Sequence, residues 1–254
     1  MNLENYFDFT TDLAYRAGRL TLGYYQTGIR PDYKADDTPV TAADRAAEEL
    51  IRGEIERTYP GHAIVGEEYG ESAGQGEPFR WIVDPIDGTK SFMRGVPLYG
   101  VLIGLEIEGV IRVGAAYFPA LDEMLNAADG LGCWWNGRSA CVSDVASFER
   151  ACICFTTYKS FIQREPGLFD RLSNAVYMMR GWSDAYGYLL VATGRAEAML
   201  DPQMNLWDCG PFPVILREAG GFYGSWQGVD GHTHGEALAC NTALKPRILD
   251  LIRG

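Results

Sequence analysis

Apolar positions at the start of the chain recur at helical spacing. Leu3, Phe7, Leu13, Ala17, Leu20 and Tyr24 fall along one face and predict a helix running to about Gln26. Thr41, followed three residues later by Asp44, is a capping signal, and Ala47, Leu50, Ile51 and Ile55 carry the inward face on until Pro60-Gly61 stops it. Beyond that point the period shortens. Strands are predicted at 63–65, 81–83, 101–105 and 110–117, the last two joined by a turn at Glu108-Gly109. The second half returns to alternation, with helices predicted over 165–174, 184–193, 209–219 and 242–252 and strands near 152–155, 196–200 and 237–240. Hairpins followed by alternating segments argue for a layered α+β architecture rather than a doubly wound parallel sheet.

No internal repeat, low-complexity tract or polar linker interrupts this pattern. The expectation is one unit over 1–254, made of two halves, about 1–146 (α+β) and about 147–254 (α/β), meeting near residues 143 to 150. With 254 residues, 47% of them apolar and 22% charged, the chain is neither disordered nor collagen-like nor a coiled coil. Acidic residues outnumber basic ones by 34 to 22, a net charge of −12, which argues against a nonspecific hold on nucleic acid or on an anionic membrane. Phosphate binding stays open, because carboxylates that converge on divalent cations reverse the local sign. The start, Met1 to Tyr6, has neither a basic nor an apolar leader segment, and no run of eighteen apolar residues follows, so a cytoplasmic chain is expected. Six cysteines without a C-x-x-C pair read as buried reduced thiols; Cys152 and Cys154 point the same way on a strand, which permits a metal or redox role in principle. His62, His232 and His234 suggest no ligand cluster, and His232-x-His234 sits in a glycine-rich stretch that predicts a surface turn.

The densest chemical signal runs from Trp81 to Phe92. An apolar strand leads directly into Asp84-Pro85-Ile86-Asp87-Gly88-Thr89, two acids three apart with a proline stiffening the turn between them. Acids held this way at a strand end can aim their oxygens at one point, and a carboxylate bridging two Mg²⁺ ions holds them ~3.5 to 4 Å apart. Gly88 and Thr89 follow with backbone amides suited to phosphate oxygens at a helix start. Taken alone, Asp84 and Asp87 are better explained as turn and cap residues. Two further acidic signals shift the balance: Gly66-Glu67-Glu68 ends the strand at 63–65, and Trp207-Asp208 opens the segment that closes at Ala219-Gly220-Gly221.

On these residues the sequence resembles the inositol monophosphatase superfamily of Mg²⁺-dependent phosphatases. The matches are D-P-I-D-G-T at 84–89, W-D…E-A-G-G at 207–221, G-E-E at 66–68, and Lys34-x-Asp36-x-Thr38-Pro39-Val40-Thr41-x-Ala43-Asp44, in family order along nearly the whole chain. The resemblance implies a layered αβαβα sandwich and two or three Mg²⁺ ions per site. It implies that Glu67, Asp84 and the Ile86 carbonyl bind one ion, that Asp84, Asp87 and Asp208 bind a second, and that a third joins near Glu67. It further implies that Thr89 and Asp44 orient and deprotonate the attacking water, with Glu67 in the catalytic set, and that the Gly88 and Thr89 amides hold the phosphate beside Asp87. A small phosphate ester is the implied partner, and a homodimer the implied assembly. A covalent phosphoenzyme on Asp84 is the competing chemistry, although D-x-D phosphatases space their acids differently.

Lys90-Ser91-Phe92-Met93-Arg94-Gly95-Val96-Pro97 and the segment from Asp184 to Gly194 are similar to the histidinol-phosphate phosphatase branch. That branch implies L-histidinol phosphate, in histidine synthesis, as substrate. Its ammonium and imidazole suit a carboxylate-lined pocket, and Ser183, Asp184 and Asp201 occupy the stretch that contacts substrate in the superfamily. The alternatives are inositol 1-phosphate or a broad range of esters, and a catalytically silent binding protein. Two features depart from the family pattern. Pro211 and Pro213 follow Asp208, so the helix there is expected to start late or bend, and Trp182 stands where small residues are frequent.

Overall fold

The computed structural model describes residues 2–34 and 38–254. Asp36, part of the fourth sequence match, lies outside them. The first half comprises α1 (Glu4–Leu22), the short hairpin β1 (Asp32–Tyr33) and β2 (Pro39–Val40), α2 (Ala42–Thr58), β3 (Ala63–Gly66), β4 (Gly70–Ser72), β5 (Phe79–Asp87), α3 (Thr89–Met93), β6 (Gly100–Ile107), β7 (Val110–Phe118), β8 (Glu123–Ala128), β9 (Gly132–Trp135) and β10 (Arg138–Ser139). Eight of these strands form one sheet in the order β10-β9-β8-β7-β6-β5-β3-β4. It is antiparallel except where β3 runs parallel to β5, with Gly66 opposite Val83.

The second half contains β11 (Cys152–Phe155), α4 (Tyr158–Arg164), α5 (Leu168–Ala175), β12 (Met178–Arg180), α6 (Tyr186–Ala192), β13 (Ala198–Asp201), α7 (Leu206–Cys209), α8 (Phe212–Glu218), β14 (Gly221–Gly224), β15 (Ala237–Asn241) and α9 (Lys245–Arg253). Its five strands form a second sheet in the order β12-β11-β13-β15-β14.

Strand alternation distributes most of the apolar side chains among three large cores, and a smaller cluster gathers Ala43, Ile86, Phe92 and Tyr99. On β5, Trp81 and Val83 face α1 and α2, packing with Leu13, Ala17, Ile51 and Ile55, while Ile82 faces the opposite side. There Ile82, Leu102 and Ala116 meet α6 and α8 through Tyr188, Phe212 and Ile215, which also cover Met199 and Ala239 of the second sheet. The far face of that sheet, with Ile153, Leu200 and Leu238, is closed by Phe161, Leu172 and Ile248 of α4, α5 and α9. The layers therefore run αβαβα. No helix among the described residues is long and apolar enough to cross a membrane.

Several local expectations change in detail. The helix predicted over 165–174 is α5, which starts only after Gly167, where φ is 85°; α4 precedes it and was not predicted. The one predicted over 209–219 is α7 and α8: Pro211 caps α8 and Pro213 sits in its first turn, so the late start follows from prolines that lack an N–H. His232 is a correction. It is buried rather than on a surface turn, its Nε2 2.9 Å from Glu106 Oε2, whereas His234 is exposed. Of the cysteines, Cys141 is exposed and the other five are buried.

Candidate active site

Each acidic residue reaches the site by a different local device. Asp84 and Asp87 stand at the end of β5, where the pairing with β6 shifts register, and Asp84 Oδ1 accepts from the Ile86 N–H at 3.0 Å. Asp87 Oδ2 accepts from the Ala185 N–H at 2.6 Å, which ties it to the start of α6. Asp208 lies in the first turn of α7, and its Oδ2 accepts from the Asn205 N–H at 2.7 Å in a capping box. α7 comes this close because Gly104 and Gly114, paired across β6 and β7, leave a flat seat. A Cβ on Gly104 would lie 2.2 Å from the Gly210 carbonyl oxygen, and one on Gly114 would lie 2.6 Å from that of Pro211.

The outcome is a group of three carboxylates, Asp84, Asp87 and Asp208, whose oxygens lie within 4.8 Å of one another. Asp84 and Asp87 are buried and Asp208 half-buried. Burial first, then repulsion from the neighbouring acids, pushes Asp84 and Asp87 well above the ordinary carboxylate range and Asp208 up to about 6. Such a cluster is short of positive charge, and its hard oxygen donors suit a divalent ion of the Mg²⁺ class.

Glu67 follows Gly66 at the level of Asp84, as the parallel pairing of β3 and β5 requires. It lines the same cavity but stands outside the three-carboxylate group, and its Oε1 is paired with Lys34 Nζ at 2.9 Å. Thr89 Oγ1 lies 3.3 Å from Asp44 Oδ1 and 3.2 Å from the Ile86 carbonyl. Asp44 is fully buried, and its Oδ2 accepts from the Thr41 N–H at 2.8 Å and from the Thr41 hydroxyl at 2.5 Å. Burial nevertheless raises its pKa. Gly88 adopts φ of 80° at the turn into α3, a conformation glycine takes without strain.

The acids surround a cavity of about 190 Å³. Asp184 and Asp201 line its other wall. Asp201 Oδ2 accepts from the Tyr188 hydroxyl at 2.6 Å, whereas its buried Oδ1 has no hydrogen-bond partner in the structure. Burial raises both acids, in Asp184 against the pull of Lys90. Ser183 does not line the cavity, and Trp182 is exposed.

Sequence reasoning passed over Lys34 as a partner of Glu67, and Thr156, Tyr188, Gln203 and Met204 as lining residues. None of these had a local signal, because each reaches the cavity through the docking of segments far apart along the chain.

Known proteins resemble the chain over nearly its whole length. Residues 2–253 match the inositol monophosphatase family. The chain is 43% identical to a histidinol-phosphatase of Chlorobaculum parvum over 246 residues, covering 95% of this chain and 94% of that protein. It is 39% identical to a histidinol-phosphatase of Mycobacterium tuberculosis, covering 93% and 94%. Among solved structures, the extragenic suppressor protein suhB of Bartonella henselae superposes with a TM-score of 0.90 at 28% identity, covering 97% of each chain. With the match running almost from end to end, the chain belongs to the inositol monophosphatase family and is a phosphoric monoester hydrolase.

Proposed function

We propose that this enzyme hydrolyses L-histidinol phosphate to L-histidinol and phosphate. The observation that carries the reading is the pair of acids on the cavity wall, half-buried Asp184 and buried Asp201, the latter with an unpartnered oxygen. A neutral polyol offers such a wall only hydroxyl donors, whereas the ammonium and imidazole of histidinol phosphate offer charge-assisted ones. The histidinol-phosphatase relatives support the same choice. The reading extends to Mg²⁺ as the metal, to the cytoplasm and histidine synthesis as the setting, and to a homodimer.

In this reading Glu67, Asp84 and the Ile86 carbonyl would hold one Mg²⁺, Asp84, Asp87 and Asp208 would hold another, and Glu67 would also serve a third. Bound there, the metal neutralises phosphate oxygens, lowers the pKa of the attacking water and stabilises the leaving oxygen. The Gly88 and Thr89 amides hold the phosphate, with Asp87 beside it. The Thr89 oxygen takes a hydrogen bond from the water, and its own hydroxyl points to Asp44 Oδ1. As the water oxygen bonds to phosphorus and the ester oxygen leaves, Asp44 receives the proton through Thr89. Burial makes Asp44 a stronger base than an ordinary carboxylate.

Phosphate release from histidinol phosphate, inositol 1-phosphate, fructose 1,6-bisphosphate and adenosine 3′,5′-bisphosphate, each with and without Mg²⁺, tests the proposal. Histidinol phosphate should turn over fastest and only with the metal. Asp184→Asn should lower kcat/KM on histidinol phosphate about tenfold or more and spare inositol 1-phosphate, as removal of a charged partner does. Equal losses on both would discard the charged-pocket argument, and no release from any ester would leave a binding protein.

A further inference from the structure

The turn that carries Glu67 is gripped from behind by a buried ion pair outside all four motifs. Glu48 lies on α2 one turn after Asp44 and is fully buried. Its Oε2 accepts from the Glu68 N–H at 2.7 Å and its Oε1 from the Tyr69 N–H at 3.2 Å. Arg52, one turn further along, donates from Nε to Glu48 Oε1 at 2.7 Å, from one terminal nitrogen to Ser72 Oγ at 2.9 Å, and from the other to the Gly70 carbonyl. The pair thus holds the backbone of the β3–β4 turn at Glu68 and Tyr69 and the start of β4 at Gly70. A Cβ on Gly66 would lie 2.1 Å from Glu48 Oε1, so glycine is what admits the carboxylate.

The same helix begins with Thr41 and Asp44, the group that faces Thr89. One rigid element therefore sets Glu67 and Asp44 at a fixed separation. The Glu67 side chain is paired with Lys34, and its reach to another cation depends on where the turn holds its Cα. Taking a carboxylate and a guanidinium out of water is costly, and a buried pair of this kind is weak evidence for stability in itself. Its four contacts with the turn residues 68–72 supply geometry instead.

We propose that Glu48, oriented by Arg52, is a positioning residue that sets the reach of Glu67 toward the divalent cation. The inference rests on the reading of Glu67 as a ligand. Calorimetric titration of Mg²⁺ into the whole chain, without substrate, tests it. Glu48→Gln should weaken cation binding about tenfold, the range seen when the supports of metal ligands are removed, and Arg52→Lys should act in the same direction by a smaller factor. In turnover, the loss should fall on the Mg²⁺ concentration needed for half-maximal rate more than on the rate at saturation. In a Glu67→Gln background, Glu48→Gln should add nothing, because its effect passes through Glu67. Should Glu48→Gln fail to fold, Arg52→Lys decides. Binding within about twofold of the parent in the folded variants, or a full penalty from Glu48→Gln in the Glu67→Gln background, overturns the inference while leaving Glu67 a ligand. Unchanged binding in Glu67→Gln itself overturns the ligand assignment, and this inference with it.

Discussion

Asp87 has one oxygen occupied by the Ala185 N–H and sits among acids that raise its pKa. Asn at this position can still accept that hydrogen bond but brings no charge to a cation. Asp87→Asn is therefore expected to lower kcat at saturating Mg²⁺ about a thousandfold or more, while the metal-free protein keeps its unfolding temperature, because one member of a repelling cluster has become neutral. Steady-state rates beside a thermal melt check both halves, and full activity would refute the mechanism. At this scale the sequence was informative wherever chemistry is local. Asp84 and Asp87 share one turn, and the Thr41–Asp44 capping box closes within three residues. Lys34 beside Glu67 was not legible, since the two are brought together by a hairpin and a separate turn.

At the scale of elements, the break between α7 and α8 decides where Asp208 points. Two prolines announced a late helix start, but not that Gly210 and Pro211 would rest on Gly104 and Gly114. A glycine inside a strand signals a close approach without saying what approaches. Gly104→Ala puts a Cβ against the Gly210 carbonyl, so it should cost about 1–3 kcal/mol, as overpacking does. Lifting α7 should also raise the Mg²⁺ requirement. Gly53→Ala is the contrasting case: it is exposed on α2 with nothing within 4 Å of the new Cβ, and should add about 0.5–1 kcal/mol. Denaturant unfolding and Mg²⁺ titration of the two variants distinguish a seat from an ordinary glycine. If Gly104→Ala behaves like Gly53→Ala, the seat has no role.

At the scale of the molecule, Glu67, Asp84 and Asp87 come from the first half and Asp184, Asp201 and Asp208 from the second, with α6 and α8 packed between the two sheets in a shared core. One cooperative unfolding transition is expected, and two separate ones would mark independent halves. Its pH dependence follows from the buried acids. Asp84, Asp87, Asp201 and Asp208 have folded pKa values above their unfolded ones, so folding favours their neutral forms. That contribution is complete below the ordinary carboxylate range and is lost as pH rises through the folded values, about 6 for Asp208. The metal-free protein should therefore melt at a higher temperature near pH 5 than near pH 8, and Mg²⁺ should raise the melting temperature more at the higher pH, where fewer protons have to be displaced. Scanning calorimetry at both values, with and without Mg²⁺, checks the sign. A larger Mg²⁺ effect at low pH would contradict it.

Periodicity, caps and turns act over a few residues, so the sequence alone determined the main helices and strands, the layered α+β class and the acids at 67, 84, 87 and 208 as candidates. Which acids converge, that Ser183 stays outside the cavity while Tyr188, Gln203 and Met204 line it, and that Glu48 grips the Glu67 turn were decided by tertiary structure alone. Those relations depend on sheet register and on the docking of segments far apart along the chain. A local pattern cannot encode such placements, because side-chain direction there is set by what the whole fold brings opposite.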